Sequence, residues 1–419
     1  MRKLILLLLF VALSANADML KRRPMFGAQV MPAEKGVALG KVFPGSPALA
    51  AGLQEGDVIL SLAGTPVNHP GEFISAMRAH GVGDTELVIV RGGETMKKTV
   101  KLVEAPREMS TEFDTIYDSA RAGDSLRRTI ITKPHDAKRH PAVLFAGGIG
   151  CYSLDGAPAA VDGYIALIQE LTRRGFVVMR VEKSGMGDSE GMPCQLQDFE
   201  NELAGYRAGF KKLVTYDFVD PQRVFFVGHS IGGVVAPVLA SELPFRGIVA
   251  MSTAGHKWIE YEDINSRRQM MMEGTTGDAL EAKLKLRHAC AEKLLLQKQA
   301  PEAIVKEQPG CEEYMKYPAH PSYMQQVAAL DPPALWKKVK VPVLLIHGTS
   351  DFVTDASEHE AIVKAAPNAT LLLEKNMDHF MRDVPSREAS MEGLKAEALD
   401  KEPLQTQVRD DIAKWLLAH

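Results

Sequence analysis

From residue 113 onward, six short apolar runs recur between longer stretches of helical period, and no other feature limits the fold as strongly. The runs are PAVLFAGG, GFVVMRVE, RVFFVG, RGIVAMST, VPVLLIHG and ATLLLEK. Most place Val, Ile or Leu on consecutive positions, which suits a strand covered on both faces. Between them lie GYIALIQELTRRG, DFENELAGYRAGFKKLV, GVVAPVLASEL and SEHEAIVKAAP, all of helical character. Such alternation predicts an α/β fold with a doubly wound, mostly parallel sheet, whose ligands sit beyond the carboxyl ends of the strands. Between RGIVAMST and VPVLLIHG the chain departs for residues 255–335. That is far longer than an ordinary loop, and DALEAKLKLRHACAEKLLLQKQ within it has helical period. A helical insertion is expected there.

The strand ends carry the chemistry. Gly228-His229-Ser230-Ile231-Gly232 follows the run RVFFV directly and precedes an apolar helix. A strand–turn–helix with small residues on both sides of a serine is the setting in which Gly-x-Ser-x-Gly holds up a nucleophile. Without further support, the same serine would be explained as a helix N-cap. Downstream, VPVLLIHG leads to Asp351, and ATLLLEK leads to Asp378 and His379. The order Ser, Asp, His, each at or after a strand end, resembles the α/β-hydrolases, as do the strand ends GGIGCYSLD and EKSGMGDSEGMPC. Residues 113–419 are similar to exported esterases and serine-peptidase-like members of that fold. The resemblance implies a triad of Ser230 as nucleophile, His379 as general base and Asp351 as its orienting acid. Asp378 and Asp355 are rival acids. The oxyanion donors implied are the N–H of Ile231 and one from Gly147-Gly148-Ile149-Gly150, at Ile149 or beside it at Gly148. The insertion at 255–335 then reads as a cap over the site.

Residues 18–103 form a different pattern of short strands and two helices. Val42 to Ala48, Ala51-Gly52-Leu53, Gly56-Asp57-Val58-Ile59 and Gly64 resemble the bacterial PDZ domain, a small α+β fold. Such domains add an extended peptide to a sheet edge and hold its end on backbone N–H groups. The resemblance implies a groove made by Phe26, Gly27 and Ala28 on one side and a helix carrying Phe73 and Met77 on the other. A rigid spacer is the alternative use. Residues 104–112 read as a linker.

A net charge of −4 and the absence of any basic run argue against a nucleic-acid partner. Arg2, Lys3, the run LILLLLFVAL and Ala15-Asn16-Ala17 describe a signal peptide over 1–17, too short to span a bilayer. Periplasmic or secreted protein without stable membrane insertion is therefore expected. In an oxidising compartment, four cysteines favour disulfides. The preferred pairs are Cys151–Cys194 and Cys290–Cys311, although three pairings are open and buried thiols are the alternative. The chain thus reads as an exported serine hydrolase of small acyl esters or thioesters, needing no metal or organic cofactor, with a protein C-terminus as possible partner at the PDZ-like domain. A peptidase is the nearest alternative, and a non-catalytic PDZ adaptor is a rival from another class.

Overall fold

The computed structural model describes residues 20–157, 162–398 and 401–419, so the expected leader at 1–17 lies outside the described residues. The amino-terminal unit contains β1 (Pro24–Met25), β2 (Ala28–Pro32), β3 (Val37–Val42), α1 (Pro47–Ala50), β4 (Val58–Leu62), β5 (Thr65–Pro66), α2 (Pro70–His80), β6 (Gly83–Arg91) and β7 (Glu94–Glu104). Its strands are ordered β1-β7-β6-β4-β3-β2, with β5 on β4. The β6–β7 hairpin turns at Gly92 and Gly93, both at positive φ, as a two-residue turn matching strand twist requires. Alternate residues Leu87, Ile89, Val100 and Leu102 face inward and bury with Val37, Leu39, Ile59 and Phe73. That leaves β2 at the sheet edge, close to α2.

The larger unit begins with β8 (Phe113–Ala122), β9 (Ser125–Pro134), β10 (His140–Ala146), α3 (Gly163–Arg173), β11 (Val177–Val181), α4 (Phe199–Leu213), β12 (Val219–His229), α5 (Ile231–Ala240) and β13 (Gly247–Met251). Five helices follow: α6 (Trp258–Met272), α7 (Gly277–Ala291), α8 (Pro301–Glu307), α9 (Pro321–Ala328) and α10 (Pro332–Trp336). The sheet resumes with β14 (Val343–Gly348), α11 (Ala356–Ala365) and β15 (Ala369–Glu374), and α12 (Arg387–Lys395) and α13 (Gln407–Ala418) close the chain. The strand order is β15-β14-β13-β12-β10-β11-β9-β8. Pairs among β10 to β15 are parallel, so the six apolar runs form one parallel sheet. Val143 and Phe145 of β10 pack on one face with α3 and α13, and Leu144 and Ala146 on the other with α4 and α5. Both faces are dry, which is why these strands read as unbroken apolar runs.

The antiparallel hairpin β8–β9 at the sheet edge was not apparent from apolar runs. Its strand SLRRTIITKP buries Arg127 and Arg128, whose charges hide it from a hydrophobic scan. Arg127 is held within the larger unit by Ser125, the Glu190 carbonyl and Asn201, whereas Arg128 belongs to the junction between the two units. Arg22 meets Asp155 at 2.8 Å and Asp188 at 2.6 Å, with all three side chains at most 2% exposed. Arg128 reaches Asp188 at 2.8 Å, and the Arg23 N–H donates to the same carboxylate. From α2, Arg78 donates to the carbonyls of Gly185 (2.7 Å) and Gly187 (3.1 Å). Burial alone would raise the Asp188 carboxyl, but the Arg23 N–H and the Arg22 and Arg128 guanidinia hold it below its ordinary value. Disulfides join Cys151 to Cys194 and Cys290 to Cys311. Among the described residues no helix is long and apolar enough to cross a membrane.

Candidate active site

Ser230 stands between the end of β12 and the start of α5 with φ 55° and ψ −120°. A non-glycine residue in that region is strained and persists only where its surroundings force it. Here the force is close packing of the turn. A Cβ on Gly228 would lie 2.4 Å from the Gly232 carbonyl oxygen, and one on Gly232 would lie 2.4 Å from that of Ala146. Only glycine fits at either position. The Ser230 N–H is anchored on the Met251 carbonyl of the neighbouring strand at 2.9 Å. Ile231 opens α5, so its N–H has no acceptor inside the helix.

Asp351, fully buried just past β14, accepts from the N–H groups of Val353 and Thr354, both at 2.8 Å, and from the Thr354 hydroxyl at 2.6 Å. His379 Nδ1 lies 3.0 Å from its remaining acceptor position. Burial would push this carboxyl up, yet the His379 imidazole and the Thr354 donors outweigh it and hold it far below the carboxylate range. Asp351 is thus an ionised, fully bonded acceptor that fixes the His379 ring with Nδ1 as donor. The rival acids are otherwise engaged. Asp378 accepts from the Phe380 and Arg382 N–H groups of its own loop and from the Ser390 hydroxyl of α12, and Asp355 caps α11 and pairs with Arg387. Between the Ser230 hydroxyl and His379 no hydrogen bond is present among the described residues. The imidazole stands beside the serine's neighbour His229, ring centroids 4.8 Å apart.

Three residues not singled out from the sequence tie this site together. His229 Nε2 is 2.8 Å from the His379 carbonyl oxygen, which can only accept. Nε2 therefore carries the proton, and Nδ1 accepts from the Tyr164 hydroxyl at 2.6 Å. The Tyr164 oxygen in turn accepts the Gly148 N–H at 3.0 Å. Burial, and after it the proximity of His379, lower the His229 pKa to about 3, so the ring stays neutral and this proton pattern is self-consistent. Because the Gly148 N–H is committed to Tyr164, it is not free to bind an oxyanion. The Gly148 carbonyl is held by Tyr152, the third residue, at 2.9 Å. His229 occupies the variable position of Gly-x-Ser-x-Gly, and Tyr152 lies in the quoted strand end GGIGCYSLD, but Tyr164 has no signal in sequence.

In the amino-terminal unit Gly27 adopts φ 81°, and a Cβ there would collide with Ser46 at 2.2 Å. Ala28 begins the edge strand β2. Phe26 and Phe73 are 4% and 1% exposed and meet edge to face at 5.0 Å. Both belong to the core cluster of this unit. Met77 is half-buried against the same cluster. Among the described residues no group of three or more His, Cys, Asp or Glu side chains is placed to hold a metal.

This sheet, with a strained serine after its middle strand and its remaining site groups at later strand ends, defines an α/β-hydrolase; the unit before it is a PDZ domain. The family described as serine aminopeptidase, S33, matches residues 151–381, and the PDZ domain family matches 24–102. The chain belongs to that S33 hydrolase family. It is similar to Esterase EstD of Thermotoga maritima, 21% identical over 295 residues covering 68% of this chain and 64% of the esterase, less than two thirds of its length. A probable periplasmic serine endoprotease, DegP-like, of Pseudomonas savastanoi is 30% identical over 135 residues, 30% of this chain and 27% of that one. Among solved structures, the Pyrococcus furiosus esterase Pf2001 is 18% identical, covers 72% of this chain and 99% of its own, and has a TM-score of 0.40.

Proposed function

We propose that this protein is an exported serine hydrolase that cleaves carboxylic esters or thioesters through Ser230, His379 and Asp351. The observation that carries the reading is the Asp351–His379 pair at 3.0 Å, its imidazole packed on His229, the residue before a serine locked at positive φ. His379 takes the Ser230 proton as the hydroxyl attacks the acyl carbon, and returns it to the departing alcohol. Water then hydrolyses the acyl-enzyme with the same base. The N–H groups of Ile231 and Ile149 stabilise the oxyanion in both halves. The two disulfides and the leader expected at 1–17 support export to the periplasm or beyond. The division into 18–103 for peptide capture, 104–112 as connection and 113–419 for catalysis, with 255–335 as cap, belongs to the same reading. The edge position of β2 next to α2 supports a peptide strand at the PDZ domain, its end near Gly27 and Ala28.

A peptidase is the second reading, favoured by the family match. Labelling with a fluorophosphonate, with Ser230→Ala as control, tests the nucleophile: a folded wild-type protein that takes no label ends the catalytic reading. Turnover of p-nitrophenyl acyl esters with aminoacyl amides untouched is expected of the esterase. The reverse preference would establish the peptidase.

A further inference from the structure

Behind the loop that carries Ile149 lies a buried cation with no part in the reaction just outlined. Lys183 follows β11, its side chain 6% exposed, and its ammonium donates to the Gly148 carbonyl at 2.9 Å and the Gly150 carbonyl at 3.0 Å. The Tyr152 hydroxyl donates to the same Gly148 oxygen. Glu202 of α4, 2% exposed, is the counter-ion at 3.3 Å. We propose that Lys183, together with Tyr152, is a positioning residue that aims the Ile149 N–H at the oxyanion formed when Ser230 attacks its substrate. The proposal rests on the serine-hydrolase reading.

The peptide joining Gly148 to Ile149 is planar, and in its trans form the carbonyl oxygen and the amide hydrogen point to opposite sides. Two donors on the Gly148 oxygen therefore turn the Ile149 N–H away from Lys183. The loop lies against the nucleophile: a Cβ on Gly148 would be 3.6 Å from that of Ser230. The preceding amide is already fastened, since the Gly148 N–H is bound to Tyr164, and the following carbonyl, of Gly150, is bound to Lys183 as well. Ile149 is thus flanked by held groups on both sides. A lysine kept only to neutralise Glu202 would have no need of two carbonyls from this loop. The charge adds to the orientation. A cation at the oxygen end of an amide draws electrons toward that oxygen and makes the N–H a stronger donor. An oxyanion exists in the transition state and not in the bound substrate, so the benefit belongs to kcat and not to KM.

The test compares Tyr152→Phe, which deletes one hydroxyl, with Lys183→Met/Glu202→Gln, which removes the cation and its counter-ion together so that no carboxylate is left buried and unpaired. Each is assayed for kcat and KM on a p-nitrophenyl ester, for inhibition by an alkyl boronate that forms a tetrahedral adduct with serine, and for melting temperature. Losing a whole oxyanion donor costs about 10²- to 10³-fold in kcat. The double variant is expected to lose about 10²-fold and Tyr152→Phe about 10-fold, on the same scale. KM should stay within about twofold, and boronate affinity should fall in parallel with kcat. Folded variants with wild-type kcat and boronate affinity overturn the proposal. If the double variant fails to fold, an unchanged Tyr152→Phe alone overturns it. When wild type turns over, Ser230→Ala does not and the variants match wild type, only the role of Lys183 falls. A folded wild type that is inert on the ester and takes no fluorophosphonate label overturns this role and the hydrolase reading together.

Discussion

Glu182 directly follows β11 beneath the same loop, and its titration gives the molecule a pH dependence whose sign can be worked out. Its Oε1 accepts from the Ser153 hydroxyl at 2.8 Å and the Leu154 N–H at 2.7 Å, while Oε2 has no protein partner. Burial dominates over those two bonds and raises the carboxyl from 4.5 to about 7. That rise corresponds to about 3 kcal/mol between the two protonation states. The folded protein therefore keeps a proton between pH 4.5 and about 7 that the unfolded chain releases. The associated stability is fully present below 4.5 and is lost as pH rises through about 7. Glu182→Gln keeps an acceptor toward Ser153 and Leu154 and cannot ionise. Urea unfolding of wild type and variant at pH 5 and pH 8, disulfides intact, isolates the effect, because all other titrating groups are shared. The variant should lose roughly 2–3 kcal/mol less than wild type on going from pH 5 to pH 8. Equal losses would mean that Glu182 titrates normally, and that the loop carrying Ser153 and Leu154 is open to water.

Asp351→Asn should leave the fold intact and reduce kcat by about 10⁴-fold, as when the acid of a triad no longer fixes the histidine tautomer; a steady-state ester assay checks it. Tyr164→Phe strands the Gly148 N–H and the His229 Nδ1, at a cost of about 1–3 kcal/mol in urea unfolding, and should also lower kcat. Replacing Cys151 and Cys194 by Ser releases a loop with sequence separation 43, and replacing Cys290 and Cys311 one with separation 21. The chain-entropy relation assigns these about 4 and about 3 kcal/mol respectively, measurable by chemical unfolding. Only the first pair should also lower turnover, since it anchors the segment after Ile149.

Much of the large sheet was legible because its evidence is local. Runs such as RVFFVG and VPVLLIHG sit between two layers of helix, so each strand records its burial in its own residues. The meeting of Asp351 with His379 was legible for a related reason: strand ends in a doubly wound sheet face one crevice, so residues following β14 and β15 open on the same side. The β8–β9 hairpin was not, since Arg127 and Arg128 are buried by partners that no local pattern announces. Phe26 and Phe73 were ambiguous in the sequence. Their residue types suit a groove or a core equally, and only the 5.0 Å contact between the two rings decides for the core.

By itself, the sequence determined the succession of strands and helices, the small residues around Ser230, the PDZ-like run of glycines and the cysteines available to pair. These depend on periodicity, on sterics within a turn and on composition, all properties of neighbouring residues. Tertiary structure alone decided which polar groups meet: Arg22 with Asp188 across 166 positions, His229 with the His379 carbonyl across 150, and Lys183 with Gly148 across 35. A buried polar group must find a partner or be costly. Which partner it finds depends on loops brought together by the packing of the sheet, and that packing is shaped by apolar residues that carry no record of the pairing.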